Sequence, residues 1–520
     1  MNIREEIYFL IKGVVGESVN FTVEIPENKQ YGDYATNVAM VLAKQEKRNP
    51  AEIAKEIELK IESDILEKTE FINGFINFYL KPEFLQNQIK EIIKQSKNYG
   101  KIDVGKNKKA QVEFISSNPT GPLTVANGRG GPFGDALANV LNFAGYKAKR
   151  EFYINNAGRQ VEILGHSILK DSEAQYKGDY IDALANRLSQ SQSFLEKNAY
   201  KLGQEAANII ANEMIKKTTE KFNIKYDVWF SEADLIKKKL PDKIIKFLKD
   251  KELLYEQDGA TWFKSSQFGD NRDRVLIKKD GFKTYLAEDI AYHYNKFKER
   301  KFDKVINVWG ADHHGDVQGL MAGVEAIGCK GQLEIILQQF ITVVESGEKI
   351  KMSKRLGTYV EIDELLDRVG ADVVRFFFLM YSNDKQMDFD LDLAREKSDK
   401  NPVYYVQYAY VRINSILRKS KGHNLDAKLE LLNHSAEIDL IKELIKLPEI
   451  IKDTVRDYQI HRLPNYAIKL ASLFHKFYTE CRILGEEKEF EKARLVLIVA
   501  VKIVLGNILD LMGISKPEKM

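Results

Sequence analysis

Cysteine is scarce in this 520-residue chain, which contains only Cys329 and Cys481. Two cysteines so far apart in sequence permit at most one bridge, so a disulfide-stabilised scaffold is excluded. Neither cysteine has neighbours at metal-ligand spacing, and no acidic set has the spacing of a zinc site. We therefore expect two reduced, buried thiols and a cytoplasmic location.

Long charge-free apolar stretches are also missing. Residues 1–13 include acidic side chains early and no long apolar run, which excludes a signal peptide. The most apolar segment, residues 495–514, is interrupted by Lys502 and Asn507, so it falls short of the roughly 18 residues that a membrane span needs. We predict a buried helix here and no membrane partner.

A strong charge of one sign is absent, because 79 basic residues nearly balance 76 acidic ones and leave a net charge of +3. Such a balance neither requires nor excludes a nucleic-acid partner, since a local basic face can exist on a chain with a balanced total. The length exceeds what one hydrophobic core supports, and about two to four domains are expected.

Three regions differ in their patterns. Residues 1–105 mix helical and strand-like segments and predict an α+β domain, with a helix starting at Asn49–Glu52 and a strand at 71–80. Residues 106–384 alternate strands, polar loops and helices, which predicts an α/β Rossmann-type domain with a helical insertion at about 160–260. From 385 to 520 strand patterns disappear, and helical apolar spacing predicts an all-α domain.

Two segments have the composition of a nucleotide site. Lys351-Met352-Ser353-Lys354 lies between Gly347 and Gly357, and two ammonium groups on such a loop can stabilise the charge that develops as pyrophosphate leaves. The same letters also fit a solvated basic turn. The other segment, residues 116–130, lies between a β-type run and a helix, an order that offers a helix N-terminus to phosphate.

These segments resemble the bacterial type of arginyl-tRNA synthetase, a class I aminoacyl-tRNA synthetase. Residues 351–354 match the KMSKS motif, 116–123 match the S-x-N-P-T-G-P-L loop, and 308–318 resemble the WGADHHG loop. Further matches near residues 31 and 74 resemble the N-terminal domain that touches tRNA, and those at 401–417 and 511–520 resemble the anticodon-binding domain. The resemblance spans essentially the whole chain in family order. It implies activation of arginine with ATP to arginyl-adenylate, followed by transfer to the 3′-terminal adenosine of tRNA(Arg).

One departure from the family lies in the HIGH motif, where this chain has Thr124-Val125-Ala126-Asn127. Both histidines and the glycine of the usual His-x-Gly-His are replaced. Thr124 and Asn127 still offer neutral hydrogen-bond donors, and Ala126 adds one methyl group. We therefore expect a working enzyme.

The resemblance implies a set of site residues. The expected catalytic residues are Lys351, Ser353, Lys354, Thr124 and Asn127. The expected ATP contacts are Pro119, Gly121, Thr124, Ala126, Asn127, Gly128, Met352 and Lys354. The expected arginine contacts are Glu113, Ser116, Asn118, Tyr285, Asp289, Asp312 and His313. Carboxylates suit this ligand, because the guanidinium is a planar fork of donors that keeps its charge.

Other expected partners follow from the same resemblance. Mg²⁺ is expected only with ATP, and no structural metal is expected, because the adjacent His313 and His314 cannot readily bind one ion together. Tyr408 and Arg412 share a helix face and could stack on anticodon bases, although an aromatic stripe at helical spacing is more often core. We expect a monomer.

Two other functions are compatible with these motifs. One is a nucleotidyl transferase that makes an acyl-adenylate without using tRNA, for which the helical C-terminal third would be unnecessary. The other is a non-catalytic tRNA-binding paralogue, which the altered HIGH motif suggests and the intact 351–354 motif opposes. Pyrophosphate exchange with arginine, with and without tRNA, distinguishes them.

Overall fold

The computed structural model describes residues 2–350, 360–420 and 426–520. The N-terminal domain has a four-stranded antiparallel sheet covered by helices, as the α+β prediction required. Its strands lie in the order β1-β2-β4-β3. They are β1 (Val23–Glu24), β2 (Tyr34–Thr36), β3 (Leu66–Ile72) and β4 (Phe75–Leu80), and the helices are α1 (Ile3–Val15), α2 (Val38–Glu46), α3 (Pro50–Glu58) and α4 (Pro82–Gln95).

Two local predictions can be compared with this domain. Asn49 caps α3 by accepting from the backbone N–H of Ala51, and Pro50 occupies the first turn, as predicted. The single strand predicted at 71–80 is wrong, because the chain turns at Asn73–Gly74, with φ of 53° and 91°. Asn-Gly favours a two-residue hairpin turn with positive φ at both positions.

The central domain contains a five-stranded parallel sheet in the order β12-β11-β5-β6-β7, which confirms the Rossmann-type prediction. Its strands are β5 (Lys109–Glu113), β6 (Lys147–Ile154), β7 (Val228–Ser231), β11 (Lys304–Gly310) and β12 (Leu333–Gln338). The helices around it are α5 (Val125–Gly128), α6 (Gly130–Phe143), α12 (Glu232–Lys237), α13 (Leu240–Asp250), α14 (Tyr285–Tyr294) and α15 (His314–Ala326).

The helical region between β6 and β7 consists of α7 (Arg159–Leu169), α8 (Asp179–Leu188), α9 (Gln192–Leu195), α10 (Ala199–Ile209), a π-helix (Ile210–Ile215) and α11 (Lys216–Lys221). β7 follows these helices within the predicted insertion, yet it is an edge strand of the central sheet. A small antiparallel sheet comes next, with strands β8 (Leu254–Gln257), β9 (Ala260–Phe263) and β10 (Arg274–Ile277).

A second small sheet lies beside the central one, in the order β14-β13-β15. Its strands are β13 (Ile341–Glu345), β14 (Glu348–Lys349) and β15 (Met387–Asp390), and helices α16 (Ile362–Val369), α17 (Ala371–Leu379) and α18 (Leu391–Arg395) accompany it. The expectation that strands end by 385 is therefore wrong. β15 has only four residues, which is too short for its alternating burial to be distinct in the sequence.

The C-terminal part is all helical, as predicted, with α19 (Pro402–Lys419), α20 (Ser435–Leu444), α21 (Leu447–Asp457), α22 (Arg462–Glu480) and α23 (Lys488–Met512). By length and composition α23 could cross a membrane, but 78% of its most apolar window is buried inside the protein. It is the core helix that the interrupted apolar run predicted. Both cysteines are buried and free, also as expected.

The two ends of the chain pack against each other. On the N-terminal domain, the Tyr34 hydroxyl donates to Glu449 Oε1 over 2.8 Å, and Arg4 forms ion pairs with Glu449 and Asp453 of α21. Glu449 is almost fully buried, and burial raises its pKa. A buried carboxylate is stable only with such partners, so this contact ties the first domain to the last.

Candidate active site

The candidate site lies at the carboxyl ends of β5 and β11. The chain leaves β5 toward β6 on one side and later returns to β11 on the other, so the strand order reverses between β5 and β11. Ligands of open parallel sheets bind in the crevice at such a reversal. Glu113, the last residue of β5, lies opposite Asn307 of β11 at this position.

Glu113 is buried and already has a cationic neighbour. The ammonium of Lys296, which is fully buried, donates to Glu113 Oε2 over 2.5 Å and to Asn307 Oδ1 over 3.1 Å. Asn307 in turn contacts His293 Nε2 over 2.9 Å. Lys296 belongs to a π-helix, Asn295–Glu299, at the end of α14. Such widened turns often occur at functional sites.

Asp289 on α14 faces the same crevice. Burial, together with the charges of Glu113 and Glu232, raises the pKa of Asp289 well above its ordinary value, and the Lys296 ammonium only partly opposes this. Tyr285, one turn earlier, is 62% exposed and stands at the rim. The predicted residues Asp289 and Glu113 therefore lie near enough in one crevice for the charge of Glu113 to affect the pKa of Asp289.

Glu232, the first residue of α12, was not predicted as part of the site. It is 3% exposed, and its carboxylate accepts from the Tyr153 hydroxyl over 3.1 Å. Burial and the nearby charge of Glu288 raise its pKa from 4.5 to about 7, against the lowering effect of Tyr153. The crevice thus contains more carboxylate than cation.

The loop after β5 turns sharply. Ile115 and Ser116 have φ of 68° and 26°, and left-handed backbone at residues other than glycine costs roughly 1–3 kcal/mol each. The Ser116 hydroxyl accepts from the backbone N–H of Tyr153 over 3.1 Å, which helps to hold this turn. Asn118 is exposed beyond the turn, and its side chain lies 2.8 Å from the Asn155 amide. The Asn155 amide is oriented so that its nitrogen donates to the Glu232 carboxylate. Strain of this kind is concentrated at functional sites.

The Thr124–Asn127 segment forms a capping box at the start of α5. Thr124 is buried, and its hydroxyl donates to Asn127 Oδ1 over 2.7 Å while accepting from the Asn127 backbone N–H over 3.3 Å. The Thr124 hydroxyl is thus occupied, whereas the nitrogen of the Asn127 side chain takes no part in the box. Ala126 is exposed next to it. A β-carbon on Gly128 would lie 2.3 Å from the Ile362 side chain, so a larger residue here would require that side chain to move.

Lys351, Met352, Ser353 and Lys354 lie outside the described residues. Their flanks are described, however. Ile350 donates its backbone N–H to the Val343 carbonyl, and the Val360 carbonyl accepts from the backbone N–H of Val125 over 3.0 Å. The chain therefore leaves the small sheet at one end of this segment and rejoins beside the Thr124–Asn127 turn at the other.

The remaining predicted contacts lie at or near the same edge of the sheet. Pro119 is buried and Gly121 half-buried in the loop after β5. Asp312 and His313 follow β11 and are exposed, and His313 lies 3.6 Å from Asp316. Among the described residues, no group of His, Cys, Asp or Glu side chains could hold a metal ion.

A separate aromatic surface lies on α19 and α22. The rings of Tyr404 and Tyr408 are stacked, with centroids 6.3 Å apart, and Tyr408 also stacks on His475. The Arg412 guanidinium lies 4.7 Å from the Tyr408 ring centroid and 4.5 Å from that of Tyr478. Tyr408 and Tyr478 are exposed, so this stripe is not core.

Comparison with known families covers almost every part of the chain. Residues 2–80 match the arginyl tRNA synthetase N-terminal domain, 88–390 the class I (R) tRNA synthetase catalytic domain, and 406–520 the DALR anticodon binding domain. An arginine–tRNA ligase of Carboxydothermus hydrogenoformans is 42% identical over 97% of this chain and 95% of its own. That of Bacillus subtilis is 41% identical over the whole of both chains.

The chain belongs to the arginine–tRNA ligase family. The fold agrees, since the arginyl-tRNA synthetase structure from Thermus thermophilus superimposes with a TM-score of 0.84, covering all of both chains at 23% identity. The family recognised from sequence motifs is thereby confirmed. In this arginine–tRNA ligase family member, Tyr408, Arg412 and Tyr478 of the aromatic surface fall within the residues that match the anticodon binding domain, and Tyr404 lies just before them.

Sequence reasoning missed two residues in this arginine–tRNA ligase family member. Glu232 sits in a helical, highly charged stretch where a glutamate at a helix start looks like an ordinary first-turn acid. Lys296 lies one turn after Tyr292, in a lysine-rich stretch whose sequence suggests an exposed surface. In the structure it is a buried residue of the π-helix. The only available signal was their nearness in sequence to β7 and to Asp289.

Proposed function

We propose that the crevice between β5 and β11 binds arginine, and that the loop after β5 together with residues 351–354 binds ATP. The enzyme class itself, ATP-dependent ligation of arginine to tRNA by a class I synthetase, follows from family membership. The observation that supports the residue assignment most is the excess of buried carboxylate around Asp289. A pocket of that charge is stabilised by a cationic ligand.

The arginine guanidinium suits this pocket better than an ammonium does. Asp289 and Glu113 Oε1, the oxygen of Glu113 that does not accept from Lys296, can accept from different N–H groups of one guanidinium. Lysine has no fork and would leave acceptors unpaired, which costs binding free energy without any second proofreading site. We assign Tyr285, at the rim, to one side of the arginine site and Asn118 to the α-amino group. Ser116, Asp312 and His313 complete the proposed amino-acid side of the site.

The nucleotide half uses backbone and neutral donors. We assign to ATP the residues Pro119, Gly121, Thr124, Ala126, Asn127 and Gly128, with Met352 and Lys354 from the segment outside the described residues. Because the Thr124 hydroxyl is engaged with Asn127 Oδ1, its role is to orient the Asn127 amide, whose nitrogen is the donor to phosphate. Lys351, Ser353 and Lys354 would then stabilise the charge on the departing pyrophosphate. Mg²⁺ would arrive with ATP.

For tRNA, we propose that Tyr408 and Arg412 stack on anticodon bases. Exposed tyrosines beside a guanidinium plane form the kind of surface on which unstacked bases bind. The N-terminal domain, residues 1–105, would touch another part of the tRNA. We further propose a monomeric, cytoplasmic enzyme without a membrane partner.

Pyrophosphate exchange with arginine, measured with and without tRNA, tests the proposal. Asp289→Asn should raise the KM for arginine about 10- to 100-fold and leave the KM for ATP within twofold, because a charge-assisted contact to the guanidinium is lost. The matched control is Asp258→Asn, which removes the same charge from an exposed turn between β8 and β9 and should change neither value. An equal rise in both KM values for Asp289→Asn would refute the pocket assignment. A wild-type protein without exchange, even with tRNA, would instead favour a non-catalytic tRNA-binding role.

A further inference from the structure

Arg129, immediately after the Thr124–Gly128 turn, is a buried cation without an acidic partner. Its side chain is 1% exposed. In the part of the chain that the structure describes, no ion pair includes it, and burial lowers its pKa to about 10. Arg375, also fully buried, differs because it pairs with Asp135. Burying a charge without a counter-ion is unfavourable, so an arginine at this position calls for a reason other than packing.

The Arg129 guanidinium donates only to backbone carbonyls. It reaches the carbonyls of Gln339 and Phe340, the latter over 3.0 Å, and those of Ser382 and Lys385 over 3.3 and 2.8 Å. A planar fork with five N–H groups can reach four such acceptors, whereas a lysine ammonium cannot match this geometry.

These carbonyls belong to two segments that frame the nucleotide half of the site. Gln339 and Phe340 connect the end of β12 to β13, while Ser382 and Lys385 connect α17 to β15. β13 and β15 are parallel neighbours, with Ile341 opposite Met387. The hairpin of β13 and β14 then leads directly to Ile350, the residue before the 351–354 segment.

The backbone of Arg129 is held from the same direction. Its carbonyl accepts from Gln338 Nε2 over 3.3 Å. Arg129 also lies two residues after Asn127 and directly before α6. It thus joins the Asn127 turn on one side to the base of the β13–β14 hairpin on the other, and its charge stays uncompensated beside them.

We propose that Arg129 is a positioning residue for adenylate formation. It sets the spacing between the Asn127 turn and the strand pair from which the 351–354 segment departs. Its unneutralised charge also favours the triphosphate at this edge of the sheet. The inference rests on the proposed function, because that function assigns the Asn127 turn and residues 351–354 to ATP.

Two substitutions separate spacing from charge. Arg129→Gln removes both, and the rate of adenylate formation should fall about 10- to 100-fold while the KM for ATP rises several-fold. Arg129→Lys retains the charge without the fork, so the KM for ATP should stay within about twofold of wild type while the rate remains low. The KM for arginine should be unchanged in both, since Arg129 contacts neither Glu113 nor Asp289.

The assay is burst titration of active sites followed by pyrophosphate exchange with tRNA present, so that rates are expressed per folded site. The matched control is Arg150→Gln, which removes a half-buried arginine on β6 that pairs with Asp135. The control should lower the melting temperature but leave the rate per active site near wild type.

Three outcomes decide the matter. A slow Arg129→Gln with unchanged arginine KM supports the inference. Wild-type rate and ATP KM per active site in both Arg129 variants, with only fewer active sites, would show a purely structural role and overturn it. A wild-type protein that exchanges no pyrophosphate with arginine would overturn the proposed function and this inference together.

Discussion

Arginine affinity should depend on pH through Glu232. Burial raises the pKa of this carboxyl to about 7, and it lies near Glu288, Asp289 and the Tyr153 hydroxyl. A bound guanidinium favours the ionised form, so binding should release protons near neutrality. With an ionisation at about pH 7 linked to binding, the apparent Kd for arginine should fall about tenfold between pH 6 and pH 8. The raised pKa of Asp289 acts in the same direction.

The same shift affects the stability of the protein without arginine. The pKa of Glu232 rises from 4.5 to about 7 on folding. The stabilisation of its protonated form is therefore complete below pH 4.5 and is lost as pH rises through 7. A shift of that size corresponds to roughly 3 kcal/mol. Glu232→Gln should accordingly raise the melting temperature of the unliganded protein at pH 8, while weakening arginine binding there.

Calorimetric titration of arginine at several pH values, in two buffers with different ionisation enthalpies, measures both the affinity and the protons released. Wild type should release protons and Glu232→Gln fewer. Glu256→Gln, which changes an exposed acid on β8 away from the pocket, is the matched control and should retain the release. A wild-type affinity that is flat between pH 6 and pH 8, with no proton release, would refute the reasoning.

Three further predictions concern the nucleotide and RNA sites. Lys354→Ala should lower the adenylation rate about 10²- to 10³-fold with little effect on tRNA binding, as a rate assay beside filter binding would show; near-normal exchange would exclude this segment from catalysis. Asn127→Ala should reduce activation about 10- to 100-fold, because it removes a phosphate donor and the partner of the Thr124 cap, whereas Asn127→His should stay active; a change within twofold contradicts the assignment. Arg412→Ala should weaken tRNA binding about tenfold or more and leave tRNA-independent ATP binding unaltered, and equal tRNA affinity would show that the aromatic surface is not an RNA contact.

The sequence predicted the parts of the fold whose signals are local and repeated. The α23 helix, the cap at Asn49 and the strand before residue 116 each have a pattern that survives in the structure. The Asn-Gly pair at residues 73–74 indicates the hairpin turn that the prediction of one strand lacks. β7 and β15 could not be predicted from the sequence, because a four-residue strand is stabilised mainly by pairing with its neighbours in the sheet.

The candidate site likewise divides into residues that have a local sequence motif and residues that depend on contacts distant in sequence. Motif resemblance gave Glu113 and Asp289, and the structure places both around one crevice. Lys296 and Glu232 could not be inferred, since their importance comes from burial and from charges that are distant in sequence. The occupied hydroxyl of Thr124 was equally invisible, because the motif suggests a donor and only the geometry reveals where that donor is directed.

The contact between Glu449 and the N-terminal domain limits how this enzyme can be dissected. Removing residues 1–105 would take away Arg4 and Tyr34, the partners of Glu449, and also α4, which packs against α20 and α23 of the last domain. A truncated protein would therefore charge tRNA more weakly for two unrelated reasons, loss of the proposed RNA contacts and a destabilised last domain. Single substitutions on the outward surface of the first domain separate these reasons, because they leave the Glu449 contact intact.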